Sequence, residues 1–336
     1  MTKMNYLAAL VGGIVEEMRR DELVFAMGQD IRSGTYGPFP IDEFSPGRIR
    51  DLPISEAANL GSAIGAALTG MRPVIDITNA NFLYSAMDQI VNQAAKIRYM
   101  FGGQASVPVV IRSQLFYVGS KAAHHGDRPY PAFMNVPGLK IIAPSTPADA
   151  KGLITAAIRD PDPVLSFEDG NLWGTREDVP DGEYVVPLGV ADVKRPGSDV
   201  TIVGVANGVR LALAAARELE KDGISAEVVD PRTLVPFDWE TVFNSVGRTG
   251  RLVVVDPACR TCGAASEIVA SVLENCFENL TSAPIRVTAA DVPMPFSPEL
   301  EREVLPSRDR VIAAARSAVT GSSAKSKMWA GTGHGV

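Results

Sequence analysis

The sequence predicts an α/β protein with two domains, each a mostly parallel sheet flanked by helices. Three observations support this fold class. The chain has 336 residues, which suits two domains of about 150 residues each. Short β-branched and apolar runs alternate with longer stretches of helical periodicity. The predicted strands are continuously apolar, which is typical of parallel strands buried on both faces.

The first half of the chain opens with a predicted helix at 4–20, where an apolar residue recurs every three or four positions. Ser55 is the predicted N-cap of a helix that Gly70 ends. Pro147 opens a later helix at a first-turn position, where its missing N–H costs little. The predicted elements are, in order, helix 4–20, strand 23–27, loop 28–48, helix 56–69, strand 73–77, helix 83–98, strand 107–111, a loop to about 130, strand 139–142, helix 147–159 and strand 164–167.

Acidic, Gly and Pro clusters interrupt this alternation after the last of those strands, and a second alternation follows. Its predicted elements are strand 200–205, helix 208–221, strand 225–229, helix 238–247, strand 252–255, helix 263–277, strand 284–287 and helix 308–319. The pattern therefore predicts a first domain at 1–175, a linker with some extended structure at 176–198 and a second domain at 199–320. The Gly- and Ser-rich segment 321–336 is predicted to be a disordered tail.

Charge and cysteine content exclude several classes of function. Lys and Arg total 32 against 39 Asp and Glu, a net charge of −7, which disfavours a nucleic-acid or anionic-membrane surface. Three cysteines do not make a disulfide framework, so we expect a reducing, cytoplasmic compartment. No P-loop occurs, and Gly204-Val205-Ala206-Asn207-Gly208 has the wrong spacing for a dinucleotide fingerprint.

Cys259-Arg260-Thr261-Cys262 lies between a predicted strand and a predicted helix. A redox pair would suit this position, because a helix N-terminus stabilises a thiolate. A zinc site would need a second cysteine pair or nearby histidines, which the sequence does not supply. Two ordinary loop thiols are the simpler interpretation.

The histidines and one glutamate are candidates for proton transfer. His124 and His125 adjoin in the long loop after strand 107–111, and His334 lies in the tail. Adjacent histidines there indicate a general acid or base or an anion binder, against the alternative of a solvated loop. Glu56 begins a helix of small residues, where an acid commonly complements the helix dipole. If another helix packs closely against that surface, the carboxylate is buried at its mouth and suited to proton transfer.

Several segments, in order, resemble the β subunit of the E1 component of 2-oxo acid dehydrogenases, a transketolase-like thiamine-diphosphate family. The segments are Asp51-Leu52-Pro53-Ile54-Ser55-Glu56, Gly70-Met71-Arg72-Pro73-Val74, residues 88–103, Val136-Pro137-Gly138-Leu139-Lys140, residues 229–236 and residues 249–255. The resemblance covers about residues 5–318, and the segment 88–103 is most similar to acetoin dehydrogenase β subunits.

This resemblance implies an α2β2 heterotetramer in which the β chain carries a pyrimidine-binding domain and a transketolase-type C-terminal domain. The α chain would hold the diphosphate and Mg²⁺ through a Gly-Asp-Gly motif, which this chain lacks. The implied reaction is decarboxylation of a 2-oxo acid, or cleavage of acetoin, with transfer of the acyl group to a lipoyl-bearing E2.

The resemblance also assigns residues. Glu56 matches the catalytic glutamate that exchanges a proton with the cofactor's aminopyrimidine ring. Phe82 matches the aromatic residue that stacks on that ring, and His125 matches the histidine that binds substrate and assists acyl transfer. Family members also hold a K⁺ ion on backbone carbonyls, which would fall at Val109, Ala157, Asp160 and Asp162.

Two departures from the family pattern keep alternatives open. The usual His-Ser-Gln is His125-Gly126-Asp127 here, and the usual Gly-Glu-Asp is Gly28-Gln29-Asp30. The first departure favours a second hypothesis, an α/β carboligase that forms acyloins without an E2. A third hypothesis is a non-catalytic β-like partner that only stabilises an α chain.

Overall fold

The structure is a computed structural model that describes residues 1–321. The predicted tail beyond Gly321, together with His334, lies outside the described residues. The chain divides into two compact units. The first comprises Met1–Val190 and Arg232–Phe237, and the second comprises Ala191–Pro231 and the residues from Asp238 onward. No helix within 1–321 combines the length and the apolar character needed to span a membrane.

The first unit follows the predicted alternation of strands and helices. Its elements are β1 (Thr2–Asn5), α1 (Tyr6–Arg20), β2 (Val24–Gly28), β3 (Ile49–Asp51), α2 (Glu56–Leu68), β4 (Arg72–Asn79), α3 (Ile97–Met100), β5 (Val110–Leu115), α4 (Tyr130–Met134), β6 (Lys140–Ile142), α5 (Pro147–Arg159), β7 (Val164–Asp169) and β8 (Arg176–Val179). The Asn5 side chain accepts a hydrogen bond from Ala8 N at the start of α1. Thr146 accepts one from Asp149 N at the start of α5, where Pro147 occupies the first turn as predicted.

The second unit repeats the α/β pattern around its own sheet. Its elements are β9 (Asp192–Arg195), β10 (Val200–Gly204), α6 (Asn207–Leu219), β11 (Ala226–Asp230), α7 (Trp239–Thr249), β13 (Leu252–Cys259), α8 (Ala264–Cys276), β14 (Ile285–Ala289), α9 (Pro298–Val304) and α10 (Arg308–Thr320). The strand β12 (Thr233–Val235) lies between β11 and α7 in the sequence but belongs to the first unit. The sheet order is β14-β13-β10-β11-β9, and only β9 pairs antiparallel. Helices α6 and α10 pack on it through a buried apolar cluster.

In the first unit, β12, β6, β7, β5, β4, β2 and β3 form one sheet in that order. All of these strands except β12 run parallel. After β2 the chain forms β3, which pairs with one edge of β2. The next strand, β4, pairs with the opposite edge of β2, and β5 pairs with β4. Such a reversal of strand order opens a crevice at the carboxyl ends of the strands, where open α/β sheets bind ligands.

Within the predicted linker, residues 176–179 form β8 and pair with β1, and residues 192–195 form β9 and pair with β11, in line with the extended structure expected there. Elsewhere the described structure differs from the predicted elements. The predicted helix 83–98 is instead a 3₁₀ segment (Ala80–Ala86), a π-helix (Gln89–Ala94) and α3. Five short elements have no counterpart among the predicted ones, namely β1, β3, β12, α4 and α9. These short or edge elements are specified by distant partners, so local periodicity does not reveal them.

Candidate active site

The three predicted catalytic and cofactor-binding residues follow three parallel strands of the first unit. Glu56 comes after β3, Phe82 after β4 and His125 after β5. Because β3, β2, β4 and β5 are parallel, their carboxyl ends meet at one edge of the sheet. The three side chains therefore belong to the loops that border the crevice between β2 and β4.

Glu56 is the first residue of α2 and is half-buried. Its Oε2 accepts a hydrogen bond of 3.3 Å from Ser85 Oγ, and the same hydroxyl lies 2.8 Å from the carbonyl oxygen of Phe82. Ser85 thus links the acid to the segment that carries the aromatic residue. Ser55 precedes the helix as predicted, but its side chain makes no capping hydrogen bond.

A kink at the end of β4 directs Phe82 towards this edge. Thr78 has a φ of 63°, an uncommon backbone conformation for a β-branched residue, and its N–H donates to Asp76 Oδ1 at 2.7 Å. At the next residue, Asn79 Oδ1 accepts from Asn81 N at 2.9 Å. These two side-chain turns end the strand and begin the 3₁₀ segment, which leaves Phe82 half-buried.

His125 is exposed and lies against Phe82. The two ring centroids are 5.5 Å apart, and the ring planes meet at 74°, an edge-to-face arrangement. The backbone of His125 is held as well, because Asn79 Nδ2 donates to its carbonyl oxygen at 3.0 Å. The structure therefore brings Phe82 and His125 into contact. It leaves His124 exposed.

Asp127, which occupies a departure from the family pattern, pairs with Asn81. Asn81 Nδ2 donates to Asp127 Oδ2 at 2.9 Å, and Asp127 N donates to Asn81 Oδ1 at 3.0 Å. The histidine loop is thereby fastened to the residue beside Phe82. Sequence reasoning did not identify Asn81, although two asparagines straight after a strand are a typical signal for side-chain turns.

A second anchor of the histidine loop is buried. Arg128 is 6 % exposed, donates to the carbonyl oxygen of Gly126 and stacks over the ring of Tyr117, 5.4 Å from its centroid. Tyr117 in turn donates to Asp169 Oδ2 at 2.6 Å. The loop that presents His125 is therefore fixed to strands β5 and β7 as well as to β4.

Buried charges lie under this edge of the sheet. Arg112 Nε and Nη2 each lie 2.8 Å from an oxygen of Glu168, and Nη1 lies 3.1 Å from Asp76 Oδ2. Gln114 Nε2 donates to both oxygens of Asp76 at 3.2 Å. Burial raises the pKa of Asp76 to about 6, although the Arg112 guanidinium acts in the opposite direction.

The carbonyls assigned to K⁺ by resemblance lie around the end of α5 and the strands beside it. Val109 O accepts from Val164 N at 3.0 Å, Ala157 O from Asp160 N at 3.3 Å, and Asp160 O from Arg72 Nη1 at 3.2 Å. A carbonyl oxygen has two lone pairs, so each of these three can accept one more partner. A shallow surface pocket of about 380 Å³ adjoins this region and is lined by Lys140 and Asp160 among others.

Cys259 and Cys262, in the second unit, are not joined by a disulfide. Cys259 is partly exposed, and Cys262 is exposed with a φ of 53°. Within residues 1–321, no group of three or more His, Cys, Asp or Glu side chains is arranged to hold a metal ion.

Comparison with known proteins identifies both units. The family "Transketolase, pyrimidine binding domain" matches residues 2–174, and "Transketolase, C-terminal domain" matches residues 189–311. The fold is shared with a split-gene transketolase solved as an inactive β4 tetramer, with a TM-score of 0.78 at 24 % identity over 93 % of this chain and 97 % of that one. Fold and site thus define a transketolase-like protein of the thiamine-diphosphate-dependent class.

Curated relatives narrow this class. The chain is 42 % identical over 314 residues to the β subunit of acetoin:2,6-dichlorophenolindophenol oxidoreductase of Bacillus subtilis, covering 88 % of this chain and 91 % of the relative. It is 40 % identical to the 2-oxoisovalerate dehydrogenase β subunit of the same organism (94 % and 98 %) and 39 % identical to the pyruvate dehydrogenase E1 β subunit of Rhizobium meliloti (94 % and 70 %). The chain belongs to the family of E1 β subunits of 2-oxo acid and acetoin dehydrogenases. The predicted family and fold class are confirmed, and membership as a β subunit implies an α partner.

Proposed function

We propose that this chain supplies half of a thiamine-diphosphate active site that decarboxylates a 2-oxo acid or cleaves acetoin and transfers the acyl group to a lipoyl-bearing E2. The partner would be an α chain whose Gly-Asp-Gly motif holds the diphosphate and Mg²⁺. The observation that carries this proposal is the linkage of Glu56, Phe82 and His125 through Ser85 and one ring contact.

The side chains present fit the pyrimidine half of the cofactor. Glu56 accepts one hydrogen bond, of 3.3 Å, which leaves acceptor capacity on its carboxylate. Phe82 is only half-buried, so part of its ring is available to a flat heterocycle. An aminopyrimidine ring has a basic nitrogen and a π face. A carboxyl group can hydrogen-bond the nitrogen, and an aromatic side chain can stack on the π face.

Each residue then has a defined task. When bound, thiamine diphosphate supplies a carbon nucleophile that attacks the substrate carbonyl. Glu56 would hold and return a proton at N1′ of the pyrimidine, and a partly desolvated carboxyl group strengthens that hydrogen bond. Phe82 would orient the ring, and His125, exposed and in edge contact with Phe82, would hydrogen-bond the substrate and assist acyl transfer.

We also propose that K⁺ binds on the carbonyls of Val109, Ala157, Asp160 and Asp162. The spare lone pairs of the first three oxygens support this assignment, since a hard monovalent cation is bound by several such dipoles. Its role would be structural, because it would join the end of α5 to β5.

The experiment that tests the function uses the chain co-expressed with a Gly-Asp-Gly α chain, thiamine diphosphate and Mg²⁺. Glu56→Gln is expected to lower turnover by about 100-fold or more, the usual contribution of a positioned proton-transfer group, with the assembly unchanged by size-exclusion chromatography. Glu303→Gln, an exposed acid of the second unit, is the matched control and should retain activity. Near-wild-type turnover of Glu56→Gln would contradict the assigned role.

A second candidate is an α/β carboligase that works without E2, and Asp127 favours it because the acid alters the loop that would serve acyl transfer. Product analysis separates the two functions. Acyloin formed from a 2-oxo acid in the absence of E2 supports the carboligase, whereas acylation of a lipoyl domain supports the dehydrogenase component. An assembly that turns over none of these substrates supports the non-catalytic partner.

A further inference from the structure

Asp127 places an uncompensated negative charge in the loop that carries His125. Its carboxylate accepts a hydrogen bond from the neutral amide of Asn81 at 2.9 Å, and no Lys, Arg or His among residues 1–321 forms an ion pair with it. The side chain is only partly buried, and its hydrogen bond to Asn81 places it beside the segment that carries Phe82. An amide neighbour orients this carboxylate without neutralising it.

Glu56 adds a second acid, which Ser85 joins to the segment that carries Phe82. Its partner is also neutral, the hydroxyl of Ser85. The two acids are connected through one short segment, because Asn81 holds Asp127, the next residue carries the ring, and Ser85 holds Glu56. This chain therefore contributes two carboxylates to the edge where the substrate would bind.

The nearby cations are directed elsewhere. Arg128, the residue next to Asp127, is 6 % exposed, donates to Gly126 O and stacks over Tyr117. The Nζ atom of Lys121 lies 5.9 Å from the ring centroid of Phe116. Asp127 itself is held by the neutral amide of Asn81, so no direct contact neutralises its carboxylate.

We propose that Asp127 is a specificity-determining residue that favours uncharged carbonyl substrates, namely acyloins and diketones, over anionic 2-oxo acids. The proposal rests on the function proposed above and names its substrate class. A 2-oxo acid brings its own carboxylate next to His125, where like charges repel, whereas acetoin brings none. A charge at the boundary of a site changes the ratio of the affinities for two ligands more than it changes either affinity alone. We therefore expect a preference for uncharged substrates, not an exclusion of 2-oxo acids.

Asp127→Asn in the assembled holoenzyme isolates this charge. The amide has almost the same shape, and its oxygen can still accept from Asn81, so the loop keeps its anchor. We expect the wild-type enzyme to prefer acetoin over pyruvate in kcat/KM. The variant should raise kcat/KM for pyruvate about tenfold and leave that for acetoin within about twofold. Asp178→Asn, an exposed acid of β8, is the control and should change neither value.

Equilibrium binding provides a readout that does not depend on turnover. Lactate and 2,3-butanediol resemble pyruvate and acetoin but do not undergo the reaction, and saturation-transfer NMR reports their binding. Wild-type binding of lactate should strengthen as ionic strength rises, because salt screens the repulsion, and Asp127→Asn should lose this dependence. Binding of 2,3-butanediol should be insensitive to salt in both proteins.

The outcomes separate the two proposals. A wild-type enzyme that prefers pyruvate, or an acetoin-to-pyruvate ratio unchanged in Asp127→Asn, overturns the role of Asp127 and leaves the proposed function intact. Failure to turn over either substrate overturns the proposed function, and the salt dependence of lactate binding then still decides whether Asp127 repels anions.

Discussion

Arg112 and Glu168 form a bidentate ion pair with two contacts of 2.8 Å and no exposed surface on either side chain. Asp76 lies at 3.1 Å on the opposite side of the guanidinium. One cation therefore compensates two buried carboxylates beneath the candidate site. Such a cluster is costly to disrupt, because removing the cation leaves charges in a medium that solvates them poorly.

Arg112→Leu is predicted to lower the free energy of unfolding by about 3–5 kcal/mol, measured by urea denaturation. Arg316→Leu is the control, since Arg316 pairs with Asp222 at the surface, and it should cost less than about 1 kcal/mol. The double variant Arg112→Leu with Glu168→Leu should be less unstable than Arg112→Leu alone. A double variant that is less stable than the single variant would contradict this account of the cluster.

Asp76→Asn is predicted to change how stability depends on pH. In the folded protein, burial raises the pKa of Asp76 from 3.8 to about 6, so the native state keeps this proton to a higher pH than the unfolded chain does. Asp76 therefore contributes stability below pH 3.8 and loses it as the pH rises to about 6. The neutral amide of the variant does not titrate, so its free energy of unfolding does not fall in this way. Relative to the wild-type protein, the variant should therefore become more stable by up to about 1.4 kcal/mol for each pH unit in that window.

Urea titrations at pH 4.5, 5.5 and 6.5 measure this difference, and Asp178→Asn provides a curve for an exposed acid. Arg112, Glu168 and Tyr36, the charged and titratable groups that act on Asp76 or are acted on by it, are retained in the variant. Parallel pH profiles for the wild-type protein and Asp76→Asn would show that this carboxyl group does not titrate in the window.

Phe82→Leu is predicted to weaken thiamine-diphosphate binding by about three- to tenfold in the assembled protein. Leucine keeps the apolar bulk but loses the π face and the edge contact with His125, interactions worth about 0.5–1.5 kcal/mol. Isothermal titration calorimetry measures the affinity. Phe82→Tyr should restore it, and Phe277→Leu, at a side chain that is 71 % exposed, should leave it unchanged. Unaltered affinity in Phe82→Leu would remove this residue from the cofactor site.

Exchanging K⁺ for Na⁺ or choline at equal ionic strength is predicted to lower the melting temperature of the assembled protein. A ligand that binds the folded state alone stabilises it in proportion to the logarithm of its concentration. Differential scanning fluorimetry over a range of KCl concentrations tests this dependence. The same melting temperature in all three salts would argue against a K⁺ site at the end of α5.

Much of the fold followed from local pattern. The periodicity of α1 and α5, the apolar strands β2, β4, β5 and β7 and the alternation of the second unit depend on residues a few positions apart. The motif around Glu56, together with the other matching segments in order, indicated the family. These features are readable because side-chain periods of 2 and 3.6 are properties of the backbone alone.

Only the tertiary structure decided the rest. It places Thr233–Val235 in the sheet of the first unit and divides the predicted helix 83–98 into 3₁₀, π and α segments. It also pairs the Asp127 carboxylate with the Asn81 amide. It also gathered Arg112, Glu168 and Asp76 from three strands into one buried cluster. Each of these depends on strand order and register, which join residues dozens of positions apart and leave no local period in the sequence.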